Sequence, residues 1–97
     1  MKVLGWADYP KAVSIRDEVY QIRMVKRIPG ETKDTFGICD DDKKIIWIRR
    51  NQSSRGLLRT FIHELLHAVE AEWSVKLRHK KINVLEVALE ALLMDNF

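Results

Sequence analysis

The spacing of hydrophobic residues changes once along this chain, at Asn51–Ser54, and that change limits the fold more than any other feature. Upstream, Tyr20, Ile22 and Met24 alternate with Gln21, Arg23 and Val25, the two-residue repeat of a strand with one apolar face. Downstream, Leu58, Phe61, Ile62, Leu65, Leu66 and Val69 recur at spacings of three and four, the repeat of an amphipathic helix. Strands precede helices, which is the order of an α+β domain.

Residues 12–16 and 18–28 read as two strands joined tightly at Arg16 and Asp17, and "PGETKD" at 29–34 ends the second, because Pro and Gly interrupt a ladder. "TFGIC" at 35–39 reads as a short strand, "DDDKK" as a turn, and "IIWIRR" at 45–50 as a fourth strand of β-branched and aromatic residues. We expect a small antiparallel sheet of about four strands over residues 10–50. A first helix capped by Ser53 or Ser54 runs to about residue 72. A second spans about 80–95, with Ile82, Leu85, Leu89 and Leu92 or Leu93 as its buried stripe. With 46% hydrophobic and 32% charged residues, residues 1–97 make a single globular domain. A chain this short buries only about 60 to 65% of its extended surface, so the core is modest and a bound metal would add to its stability.

No apolar run approaches the roughly 18 residues that cross a bilayer, and "MKVLGWADYP" lacks a secretory signal pattern. The expectation is a cytoplasmic protein without a membrane partner. The single cysteine, Cys39, cannot form an internal disulfide, agrees with a reducing compartment, and reads as a packed strand residue. Lys and Arg exceed Asp and Glu by three, and the basic residues are scattered among 25–27, 49–50, 55–59 and 76–81. Scattered basic groups usually solvate a surface, so a nucleic-acid partner is not favoured. Trp6, Trp47 and Trp73 read as packing residues.

Within the first helix, "HELLH" places His63 and His67 four residues apart, one above the other on the helix surface. Two neutral imidazoles can supply half of a tetrahedral zinc shell. Glu64 stands about 100° round the helix from His63, able to reach a water at the metal without ligating the ion. Metal lowers the pKa of that water and the carboxylate takes its proton as it attacks a polarised carbonyl. Both histidines border the apolar stripe, where unpartnered rings would be costly.

Three downstream residues can complete the ligand set. Glu86 leads, because it projects from a rigid second helix; Glu90, one turn on, is an alternative ligand or the acceptor that fixes a histidine tautomer; His79 is a further alternative. Glu86 could also close a capping box with Asn83, a reading that fails if Lys80 or Lys81 is already helical. Glu70 could support His67, although an exposed carboxylate is the commoner case there and for Glu72.

On "TFIHELLHAVEAEW" and "VALEALLMDN", the chain resembles the small HExxH zinc metallopeptidases of compact phage and bacterial type, with a zincin-like fold. The resemblance implies a zinc-dependent endopeptidase acting on protein or peptide, with Zn²⁺ on His63, His67 and Glu86 and with Glu64 as general base. Glu86 and Glu90 are similar to the E-x-x-x-D pair of gluzincins, in which the first acid binds zinc and the second orients a histidine. Trp73 stands where the metzincin clan would need a histidine. Only seven residues follow Glu90, so an oxyanion stabiliser would have to come from elsewhere, for example Tyr20, Arg78 or His79. An extended substrate would add along residues 45–50. The alternatives are a non-catalytic zinc-binding regulatory module and a SprT-like, DNA-associated protease in which His79 ligates.

Overall fold

A computed structural model describes residues 4–97. A short 3₁₀ turn at Trp6–Asp8 leads into strands β1 (Ala12–Ile15), β2 (Glu18–Val25), β3 (Gly37–Asp40) and β4 (Ile45–Arg49), followed by helices α1 (Ser54–Trp73) and α2 (His79–Asn96). The architecture is the α+β arrangement that the change of period predicts.

The sheet is mixed rather than wholly antiparallel. Its order is β1-β2-β4-β3, with antiparallel pairs β1–β2 and β3–β4 and a parallel pair β2–β4 that places Ile22 opposite Ile46. The difference lies in the connection from Lys26 to Phe36, which is long enough for β3 to skip one position. β4 then returns into the gap, alongside β2 and in the same direction. Consequently β4 is interior, and the sheet edges are β1 and β3.

Local chemistry explains the turns. The β1–β2 hairpin turns on Arg16 and Asp17, both at positive φ (45° and 67°), which matches the right-handed twist of the paired strands. Arg16 is held there from outside the hairpin. Its guanidinium donates to the Glu72 carbonyl at 2.9 Å and lies 5.5 Å from the centre of the Trp73 ring. Ser53 caps α1 by accepting from the Gly56 amide at 3.1 Å, and Ser74 ends it in the left-handed conformation.

α1 lies against the sheet and α2 packs on α1. Tyr20, Ile22, Ile46 and Ile48 pack beneath Leu57 and Ala68 of α1, while α2 packs on α1 through the buried Ile82. The expected stripe of α2 is only partly right: Ile82 faces inward, but Leu85 and Leu92 are exposed, and Glu86 and Glu90 take the inward positions. Because α2 begins at His79, Lys80 and Lys81 are helical and Glu86 is no capping residue.

The end of α1 is tied to the sheet through Glu72. Its Oε2 accepts from the Tyr20 hydroxyl and from Lys44 Nζ, each at 2.6 Å, so Glu72 is engaged rather than free. Lys44 and Tyr20 hold the Glu72 carboxyl below the usual carboxylate range. A carboxyl with a lowered folded-state pKa contributes stability above its unfolded value and loses it as pH falls through the lowered one. Glu72→Gln should therefore unfold at lower denaturant at neutral pH and show a shallower loss of stability on acidification than the parent. An unchanged acid limb in urea titrations would contradict this.

β3 approaches α1 so closely that a side chain at Gly37 would not fit: a Cβ there would lie 2.6 Å from Thr60 Cγ2 and 3.0 Å from Glu64 Oε2. Gly37→Ala should cost roughly 1 to 3 kcal/mol in denaturant unfolding by overpacking. Adding Thr60→Ser, which removes the obstructing methyl, should return part of that loss.

Candidate metal and catalytic site

The site occupies the seam where α1 meets both β3 and α2. Arg55, Arg59, His63 and His67 follow one another at four-residue steps along α1, forming a ladder on one stripe of the helix. The antiparallel α2 answers it in reverse order. Glu90 meets Arg55 at 3.0 Å and Arg59 at 3.8 Å, Glu86 meets His63, and the His79 ring lies 6.0 Å from that of His67.

Nε2 of His63 and Nε2 of His67 stand 3.2 Å apart. Two nitrogens on one tetrahedral zinc, at about 2.05 Å each, are separated by about 3.3 Å. Each ring is engaged by a carboxylate on its other nitrogen: His67 Nδ1 lies 2.7 Å from Glu70 Oε1, and His63 Nδ1 lies 3.4 Å from Glu86 Oε1. An ionised carboxylate can only accept, so these contacts assign the protons to the Nδ1 atoms. With both rings neutral and in those tautomers, the two Nε2 lone pairs point into one space, where a proton or a metal cation could be shared. The donor chemistry fits a divalent ion that favours nitrogen, such as zinc.

Glu70 is not the exposed side chain that its place near the helix end suggests. One oxygen holds His67, and the other accepts from the Leu77 amide at 2.7 Å. Burial alone would raise its pKa, but the Leu77 amide and His67 outweigh that and hold the Glu70 carboxyl below the usual range. Glu90, expected beside a histidine, is instead fully buried against Arg55 and Arg59. The supporting role falls to Glu70 because residues three apart on a helix are neighbours, a signal already present in the spacing of His67 and Glu70.

Glu64 is buried at 6% exposure, with Oε2 and Cγ at 3.0 and 3.1 Å from where a Cβ on Gly37 would sit. Burial pushes its carboxyl up, and the charge of Glu86 adds to this, while His63, His67 and the Cys39 amide favour the ionised form. A cleft of about 550 Å³ opens on one side of Glu64, bounded by Ile38, Cys39, Asp41 and Glu70, with His63 and His67 in its wall. A smaller one, about 310 Å³, lies on the other side, against Phe36, Thr60 and Glu86. Cys39 faces this site as a neutral thiol, pushed up to about 12 by burial and by the charge of Glu64.

The expected ligand set is thus gathered but not closed. Glu86 sits on the Nδ1 side of His63, and among the described residues no three His, Cys, Asp or Glu side chains converge as a ready metal-binding group. His79 stands near His67, and Arg78 is the residue before α2. Tyr20 is no candidate for an oxyanion, because its fully buried hydroxyl donates to Glu72. Residues 45–50 cannot receive a substrate strand, since β4 is paired on both sides; β3 is the free edge beside the cleft. No helix among the described residues is long and apolar enough to cross a membrane.

Compared with protein-family models, curated proteins and solved structures, the chain matches none.

If His63 and His67 bind zinc and Glu70 fixes the His67 tautomer, Glu70→Gln should weaken that binding roughly 10- to 100-fold. The amide it introduces presents a donor to Nδ1 and drives the ring proton to Nε2. The Gln carbonyl could still accept from Leu77, so protection of that amide against exchange should largely persist. Nitrogen NMR of His67 in the metal-free protein would read the tautomer, and an unchanged tautomer in the variant would refute the role.

Proposed function

We propose that this protein is a zinc-dependent peptidase in which His63, His67 and Glu86 hold the ion and Glu64 is the general base. The observation that carries the reading is the 3.2 Å approach of two Nε2 atoms whose rings are each engaged by a carboxylate on Nδ1, beside a buried glutamate. Bound zinc would supply a water of lowered pKa and a Lewis acid for a carbonyl oxygen. Glu64 would hold the proton taken from that water and pass it to the departing amine. Burial raises the proton affinity of Glu64, which suits a group that must take a proton and later release it. Glu86, on the neighbouring helix, would complete the ligand set by leaving Nδ1 of His63, the contact it makes in the metal-free chain.

The substrate in this reading is an extended protein or peptide segment. The unpaired edge of β3 would receive it through main-chain hydrogen bonds. Side chains on either side of the scissile bond would then fall in the two clefts that flank Glu64.

A second reading takes its support from the 6.0 Å separation of the His67 and His79 rings: a three-histidine site of SprT-like kind, or a closed structural zinc site. Rings sharing one tetrahedral ion have centres about 5 Å apart, which the 4.8 Å between His63 and His67 meets and the His79 spacing does not. Metal content of Glu86→Ala and His79→Ala separates the two. Loss of zinc in the first variant alone supports Glu86 as ligand, and loss in the second alone supports His79.

Glu64→Gln should retain zinc and lose peptide cleavage by several orders of magnitude. It should also make the metal-free protein more stable at neutral pH, because an acid whose pKa is raised on folding disfavours the folded state once ionised. A Glu64→Gln protein that still cleaves at the parent rate would rule out the catalytic role, and one that melts lower would contradict the electrostatic argument.

A further inference from the structure

Between Lys81 and Asp95, α2 presents no charged side chain to solvent. The two acidic residues in "INVLEVALEALLM", Glu86 and Glu90, are turned inward, with side-chain exposures of 18% and 1%. The exposed residues between those charges are Val84 at 61%, Leu92 at 53%, Val87 at 46%, Leu85 at 38% and Ala88, with Asn83 the one polar side chain among them. A surface helix ordinarily places its polar residues outward. Here the polarity is reversed, and a contiguous apolar face of that kind marks an interaction surface.

The pattern of that face identifies what covers it. At about 100° per residue, Lys81, Val84, Ala88, Ala91, Leu92 and Asp95 fall on one stripe opposite Ile82, Glu86, Glu90 and Leu93. The stripe is self-complementary when reversed about Ala88. Laid antiparallel on itself, it puts Val84 against Leu92, Ala88 against Ala88, and Lys81 against Asp95. The small residue falls at the crossing point, where two helices approach closest, and opposite charges meet at both ends. Neither Lys81 nor Asp95 has an ion-pair partner among the described residues.

We infer that this face of α2 pairs antiparallel with the same face of a second copy of the chain, giving a two-fold dimer. Such an interface is isologous, each surface serving as its own complement. None of Val84, Ala88 and Leu92 lines either cleft, so the inference does not depend on the peptidase reading.

Sedimentation equilibrium over a wide concentration range would test it. The expected result is a monomer–dimer equilibrium that Val84→Lys and Leu92→Lys each weaken at least roughly tenfold. Both side chains are exposed in the single chain, so circular dichroism should stay at the parental level. Charge exchange reads the orientation: Lys81→Asp and Asp95→Lys should each weaken the dimer, and the double variant should recover it. A single monomeric mass at every concentration, as would follow if a different protein covers this face, would overturn the inference. So would a dimer indifferent to Val84→Lys, or a double charge exchange no tighter than its parents.

Discussion

The contact between the backbone of β3 and Glu64 of α1 is the constraint on which the rest of the site depends. With no side chain at Gly37, the strand settles against the helix and shuts water away from a carboxylate that would otherwise be solvated. Two consequences come together. Glu64 acquires a raised proton affinity, and a sheet edge is fixed directly beside the histidines that flank it. A larger residue at position 37 would push the strand out, admit water and dissolve both at once. An ionised buried carboxylate is a liability for folding unless something else requires it, and here it stands one residue from a pair of converging imidazoles.

Beside the buried Ile82, the interface between α1 and α2 carries a line of polar contacts, which is unusual for a domain with so small a core. Arg55 and Arg59 neutralise Glu90 in its outer half, and the histidines meet Glu86 and His79 in its inner half. The halves divide the work. Glu90 is buried while Arg55 and Arg59 stay half-exposed, and a buried carboxylate without its partners is costly, so the Glu90 cluster fixes the register of α2 against α1. That register in turn decides which acid reaches His63. Glu86 and Glu90 lie one turn apart, and a slip of one turn would exchange them.

How far the sequence disclosed this depends on whether the signal was local. Helix limits were legible to within a residue or two, because the change of spacing at Asn51–Ser54 and the Ser53 cap are local. The Arg16–Asp17 hairpin was legible for the same reason. Strand order was not: alternation in β2 and β4 says that each has two faces and nothing about which strand lies beside it, so the parallel pairing could not be read. The placing of His63 beside His67 followed from helical spacing alone. The partner of Glu90 did not, since Arg55 lies 35 residues earlier, on the helix that α2 packs against. Glu70 is within reach of the same spacing rule, which is masked there because carboxylates near helix ends are usually solvated. The second contact, to the amide of Leu77, depends on the path of the chain after α1 and left no trace in the sequence.

The stripe of α2 was misread for a different reason, and it bears on how the helix is held. Apolar residues lie on nearly every side between Ile82 and Met94, so hydrophobicity cannot choose which side faces α1. The two glutamates choose it. Each has a partner on α1 and none on the outer side, and leaving either without one would cost more than exposing Leu85 or Leu92. Electrostatics thus rotates α2 against the preference of its aliphatic side chains and leaves an apolar surface outward. The inward turn of the acids toward Arg55, Arg59 and His63 and the bare outer face of α2 are two consequences of one rotation.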